Sequence, residues 1–262
     1  MGVAVDSEGN VYVTGNTGGN LYGISSGDRD LFVAKFDSNG NEVWGKQWGS
    51  TLGDYPQSIA VDTAGNVYVT GNTAGNIYGQ IGNYDVFVTK FDSSGNEVWG
   101  KQWGSGNYDE ARSINADTAG NVYITGYTIG NIYGQIGSYD SFVTKFDSSG
   151  NEIWGKQWGS ASSDYAESVA VDTAGNVYVT GYTAGAIYGI SLGENDSFVT
   201  KFDSSGNEVW GRQTGTASSD AGTGVAVDAR GRVYVTGYTR GAFPGRISTG
   251  LYDVFLIVYR PE

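Results

Sequence analysis

One unit of 55 to 56 residues recurs five times along the chain: VAVDSEGNVYVTG at 3–15, IAVDTAGNVYVTG at 59–71, INADTAGNVYITG at 114–126, VAVDTAGNVYVTG at 169–181 and VAVDARGRVYVTG at 225–237. A unit this small cannot bury a core alone, so self-similarity at this period marks repeats that stack into one body. The repeat overrides the two-domain prior that 262 residues suggest. A single domain over 1–262 is expected, with units at about 1–55, 56–110, 111–165, 166–221 and 222–262.

The second unit shows the internal plan. SIAVD (58–62), NVYVTG (66–71), VFVTKFD (86–92) and NEVWGKQWG (96–104) are short, rich in β-branched and aromatic residues, and bounded by Gly, Asn, Asp and Ser. They read as four strands, A to D. Tight D-x-x-G turns join A to B and C to D, and longer loops join B to C and D to the next A. No 3.6-residue apolar period persists, so helices are not expected. Four-stranded antiparallel sheets repeated radially make a β-propeller, which typically has about four to eight blades. The fold expected is all-β, a five-bladed β-propeller of four-stranded antiparallel blades.

Strands A, B and C occur five times, but the D pattern occurs only at 41–49, 96–104, 151–159 and 207–215. The last blade is thus expected to lack its outer strand. Its third strand, in LYDVFLIVYRPE, is more apolar than its counterparts and loses the lysine found at Lys35, Lys90, Lys145 and Lys201. An open apolar edge invites strand pairing, so either a missing N-terminal D strand in a parent protein or self-association through the last blade is expected, with Pro261 placed to blunt the edge.

The strings G-N-V-Y-V-T-G-Y-T, G-x-x-D-x-F-V-T-K-F and G-N-E-V-W-G-x-Q closely resemble the bacterial SBBP β-propeller repeat, in register through essentially the whole chain. The resemblance implies the propeller fold and an extracellular or cell-surface protein, often joined to other modules. The family name implies seven blades, whereas this chain supplies five.

Net charge is −13, which disfavours nucleic acid and anionic membrane surfaces as partners. No apolar run approaches the roughly 20 residues of a spanning helix, and no signal peptide opens the chain. The chain has no His and no Cys, which excludes Ser–His–Asp, Cys–His and His-ligated metal chemistry.

Two sets of loop residues are candidates for binding. In the D→A loops, Asp54, Asp109, Asp164 and Asp220 would surround the axis of a propeller, with Tyr55, Tyr165 and Glu167 close by. A ring of carboxylates there would suit a hard cation such as Ca²⁺; the other reading is solvated loop acids. In the B→C loops, Tyr22, Tyr78, Tyr133, Tyr188 and, in the fifth unit, Phe243 accompany Asn, Gln and Asp. Such rings would stack on sugars; the other reading is that they cover the ends of the sheets. The turn aspartates Asp6, Asp62, Asp117 and Asp172, with Asp37, Asp92, Asp147 and Asp203, lack an EF-hand frame and read as turn formers. The Asp before each strand C (Asp30, Asp85, Asp140, Asp196, Asp253) is expected to tie down the preceding loop.

The sequence thus points to a non-catalytic binding or scaffolding module, with its binding face formed by the B–C and D–A loops and a protein or glycan ligand. A lectin-like propeller is the first alternative. A carboxylate-dependent hydrolase or lyase is the second, and the reading adopted is that the chain is not an enzyme.

Overall fold

Gly, Asn and Asp interrupt the chain every few residues, and between them the β-branched and aromatic runs form strands. The computed structural model describes residues 1–248 and 250–260, and contains no helix among them. Pro261 lies outside the described residues. The first sheet consists of β1 (Gly2–Val5), β2 (Val11–Thr17), β3 (Asp30–Phe36) and β4 (Glu42–Trp48). The second consists of β5 (Asp54–Val61), β6 (Val67–Thr73), β7 (Asp85–Phe91) and β8 (Glu97–Trp103). The third consists of β9 (Asp109–Ala116), β10 (Val122–Thr128), β11 (Asp140–Phe146) and β12 (Glu152–Trp158). The fourth consists of β13 (Asp164–Val171), β14 (Val177–Thr183), β15 (Asp196–Phe202) and β16 (Glu208–Thr214). The last has three strands, β17 (Asp220–Val227), β18 (Val233–Thr239) and β19 (Asp253–Tyr259). Strand order follows chain order in every sheet.

The chain forms two compact units, one of residues 1–124, 130–132 and 145–153, the other of residues 125–129, 133–144 and 154–262. In the first, Tyr12, Leu31 and Val33 pack against Ile59, Val67, Val69, Phe87 and Phe91 of the following sheet. In the second, Tyr178 and Val199 pack against Val233, Val235 and Phe255. Every residue of β6 and β7 is buried, so these strands are covered on both faces. That is why their sequences do not alternate apolar with polar.

Tryptophan ties successive sheets. The Nε1–H groups of Trp44, Trp99 and Trp154 donate to the carbonyls of Ser93, Ser148 and Ser204, each at 3.1 Å, in the next sheet's third turn. Each indole lies over that turn's glycine, where a Cβ on Gly95, Gly150 or Gly206 would come within 2.8 Å of the ring. The second tryptophan of the strand meets the next sheet's phenylalanine edge-on, as Trp48 does Phe91 at 5.0 Å.

The D-x-x-G turns close on their own aspartates. In the turn after β7, Asp92 Oδ1 accepts from the N–H groups of Ser94 and Asn96 at 2.9 and 2.8 Å, and Oδ2 accepts from Asn96 Nδ2 at 2.9 Å. Gly95 takes φ +80°, which a side chain would resist. Side-chain and backbone bonds from the asparagine hold Asp37, Asp92, Asp147 and Asp203 below the usual carboxylate value. Asp228, bonded by the backbone and then the guanidinium of Arg232, reaches about 2.

A carboxyl held low only in the fold stabilises it above the ordinary value of about 4, and that contribution is lost as pH falls through the lowered values. Buried Asp54 and Asp164 act in the opposite sense, because burial raises them and protonation then favours the fold. With the low-held group more numerous, the thermal midpoint is expected to be flat above about pH 5 and to fall between about 4 and 2. A midpoint that rises over that interval would refute this assignment.

Candidate functional site

The B→C loops and the D→A loops lie at the same end of each sheet, and the structure joins them there. The backbone N–H groups of Asp54, Asp109, Asp164 and Asp220 donate to the carbonyls of Arg29, Tyr84, Tyr139 and Asn195 at 2.8–2.9 Å. In the first four sheets the Asp that opens the third strand ties its loop as the sequence suggested, Asp30 through Ser26 N–H and Asp196 through Leu192 N–H, both at 2.8 Å. Asp85 accepts from the N–H groups of Ile81 and Gly82 at 2.8 and 2.9 Å, and Asp140 repeats this with Ile136 and Gly137.

Asp54, Asp109, Asp164 and Asp220 do not line an opening. All four are fully buried. Asp54 accepts from Ser50 N–H at 2.7 Å, Ser50 Oγ at 3.1 Å and the hydroxyl of Thr73. Burial pushes its carboxyl up, against those bonds, and the neighbouring Asp30 carboxylate adds to the rise. Asp164 is held alike by Ser160 and Thr183. Among the described residues no group of three or more acidic side chains is placed to hold a metal ion. Each of these four loops folds its own donors around its carboxylate.

Tyr22, Tyr78, Tyr133 and Tyr188 lie flat on their own sheets, over the glycine of the fourth strand. A Cβ on Gly45, Gly100, Gly155 or Gly211 would fall 2.0–2.2 Å from the ring. Their hydroxyls are engaged as well: Tyr78 meets Thr89 Oγ1 at 3.1 Å and Glu97 Oε1 at 3.0 Å. Phe243 packs edge-on against Phe255 at 5.5 Å. These five rings cover the sheets.

Other tyrosines face the loop end. Tyr55, Tyr84 and Tyr108 line an open concavity of about 280 Å³ together with Gln57, Asn72 and Glu110. The rings of Tyr84 and Tyr108 are 5.1 Å apart, those of Tyr55 and Tyr84 6.4 Å, and the Arg29 guanidinium lies 6.0 Å from the Tyr55 ring. Tyr108 donates to Glu110 Oε2 at 2.5 Å, and Arg112 bonds Glu110 Oε1 at 2.9 Å. Burial, and then the Glu110 carboxylate, push the Tyr108 hydroxyl up, so it remains a donor.

The SBBP β-propeller repeat matches residues 2–23, 43–79, 98–134, 153–189 and 209–244, the last four matches each running from the fourth strand of one unit into the next. The chain belongs to the SBBP β-propeller repeat family. Its five sheets are blades, four of four strands and the last of three, as the sequence suggested. An uncharacterized WD repeat-containing protein of Acanthamoeba polyphaga mimivirus is 31% identical over 122 residues, covering 39% of this chain and 9% of that protein. Regulatory protein FlaEY of Caulobacter vibrioides is 28% identical over 138 residues, covering 48% of this chain and 14% of that protein. The chain therefore spans at most about a seventh of these curated relatives. Among solved structures, the β-propeller domain of the Trilobed protease from Pyrococcus furiosus, described as having an open velcro topology, aligns with TM-score 0.53 at 12% identity. That alignment covers 98% of this chain and 66% of the other, and shows the fold.

The second compact unit of this SBBP chain carries an aromatic cluster of its own. Tyr165 stacks on Tyr182 at 4.8 Å and meets Tyr127 at 4.9 Å and Tyr139 at 5.1 Å. Its members occupy the second position of a first strand (Tyr165, like Tyr55), the residue before a third strand (Tyr139, like Tyr84) and the sixth position of a second strand (Tyr127, Tyr182). Sequence reading noted Tyr55 and Tyr165 only as neighbours of the loop acids. The available signal was that tyrosine recurs at these positions in several units.

Proposed function

We propose that this SBBP module is a non-catalytic binding propeller whose ligand face is the tyrosine-bearing loop end, with glycans as the ligand class. The observation that carries the reading is the concavity in which Tyr55, Tyr84 and Tyr108 stand beside Gln57, Asn72 and Glu110. Aromatic faces receive the C–H side of a pyranose, and amide and carboxylate groups receive its hydroxyls. Gln57 Nε2 reaches Asn72 Oδ1 at 3.5 Å and Glu110 Oε1 at 3.4 Å, long contacts that a sugar hydroxyl would exchange readily. Support for a non-catalytic role comes from Glu110, the carboxylate of this concavity, which is already engaged by Tyr108 and Arg112.

The test is titration of the protein with a panel of neutral and acidic oligosaccharides, followed by heat of binding. Tyr84→Ala is expected to weaken the best ligand about fivefold, in keeping with a stacking contribution near 1 kcal/mol. Tyr78→Ala, which removes a ring from the sheet, is expected to lower stability and leave affinity unchanged. Equal loss from both variants, or no saccharide bound by the parent chain, would overturn the reading.

A further inference from the structure

The three rings of the concavity stand in an acidic setting. Tyr55 follows Asp54 in the chain, Tyr84 precedes Asp85 and Tyr108 precedes Asp109, and all three carboxyl groups are fully buried. Glu110, only 6% exposed, lines the concavity itself. Two guanidinium groups stand with these acids. Arg112 bonds Glu110 Oε1 at 2.9 Å, and Arg29 lies 6.0 Å from the Tyr55 ring. Burial raises the Asp54 carboxyl and the Asp30 carboxylate adds to the rise; burial, and then Glu110, raise the Tyr108 hydroxyl. Both shifts record a negative potential at this end of the sheets.

The groups at the surface of the concavity suit a cation as well. The face of a phenol ring is negative and draws an ammonium or guanidinium group to within about 6 Å. This chain already uses that contact, since the Lys35 and Lys90 ammonium groups lie 5.2 and 5.3 Å from the rings of Tyr12 and Tyr68. The Tyr84 ring, between Tyr55 at 6.4 Å and Tyr108 at 5.1 Å, has no such cation among the described residues. Tyr108 gives its hydroxyl hydrogen bond to Glu110 Oε2 at 2.5 Å, which makes its ring face more negative. Gln57 turns its Nε2 toward Asn72 and Glu110, and so keeps its Oε1 to accept from a ligand. An ammonium group here meets ring faces, an amide oxygen and a carboxylate. A sugar carboxylate in the same place meets the same groups as repulsion.

We propose that the saccharide taken by this concavity is a cationic one, a chain of amino sugars with free amines. The inference rests on the glycan reading above and names the class of sugar within it. Pyranose C–H faces stack on the tyrosines, and an ammonium group sits between ring faces and the Glu110 carboxylate. A neutral sugar keeps the stacking and lacks the charge.

The experiment is calorimetric titration of the whole chain with two oligosaccharides of equal length, one of glucosamine and one of N-acetylglucosamine. It is run at about pH 6, where free amines are charged. The glucosamine oligomer is expected to bind about tenfold more tightly. That advantage should shrink to about twofold in about 0.5 M salt, which screens exposed charges. Glu110→Gln should remove most of the advantage and leave the N-acetylated oligomer unchanged, whereas Tyr84→Ala should weaken both. The two oligomers on the parent chain keep the test decisive if Glu110→Gln disturbs the sheet. Equal binding of the two, or tighter binding of a uronic-acid oligomer, would overturn the proposal and leave the glycan reading in place. Glucosamine binding that Tyr84→Ala does not weaken would assign the charge effect to the acidic surface at large and overturn it too. No binding of any of the three oligomers would remove both readings.

Discussion

Alanine at Asp85 is expected to cost on the order of 4 kcal/mol of folding stability, because it leaves three donors without their acceptor. The N–H groups of Ile81 and Gly82 and the Nε2 of Gln102 all converge on this fully buried carboxylate at 2.8–2.9 Å. Each orphaned buried donor costs about 1–3 kcal/mol, and partial access of water to the loop keeps the sum below the maximum. Asp85→Asn retains one acceptor oxygen and should lose about half as much. Urea unfolding of the three proteins measures the series. A loss below about 1 kcal/mol for alanine would mean that the carboxylate is not the tie it is taken to be. The same substitution releases the loop that carries Tyr84, so it should also weaken any ligand of the tyrosine concavity.

The second large effect belongs to Tyr68, whose ring is completely buried. Its centroid is 6.2 Å from that of Trp99, the Lys90 ammonium lies over it at 5.3 Å, and its hydroxyl donates to Asp62 Oδ2 at 2.9 Å. Burial, and then Asp62, push that hydroxyl far above its ordinary value, so it stays a donor across the working pH range. Tyr68→Ala should cost about 3–5 kcal/mol through lost packing and the cavity left behind. Tyr68→Phe removes the hydroxyl alone and should cost about 1 kcal/mol. Chemical denaturation of both variants separates ring from hydroxyl. Equal losses would show that the bond to Asp62, and not the packing, dominates. Tyr12, Tyr123 and Tyr178 stand in the same relation to Asp6, Asp117 and Asp172.

The fold was legible because its determinants are local and repeated. Asp92 and Gly95 announce a turn without reference to anything distant, and the missing D pattern after β19 announces a three-stranded sheet. The candidate site was less legible because its residues are sorted by contacts across strands. Asp54 stands in a loop, where a carboxylate is ordinarily solvated, yet Ser50 and Thr73 enclose it. The pattern that carried this was a Ser or Thr four residues before each such Asp, at Ser50, Ser105, Ser160 and Thr216. Tyr78 and Tyr84 sit six residues apart in one loop, and nothing in that loop says which ring is spent on the sheet. The answer lies at Gly100, on a strand further along, where the absent Cβ makes room for Tyr78.

The tryptophan that bonds the next blade's turn has a consequence for how such proteins lengthen and shorten. Trp44 to Ser93, Trp99 to Ser148 and Trp154 to Ser204 are one joint used three times, with the same atoms at the same 3.1 Å. A gene that gains or loses a whole unit would meet an identical partner on either side of the cut, and would need no compensating substitution. Blade number can then change by whole units, while the joint that must be right is copied along with each unit.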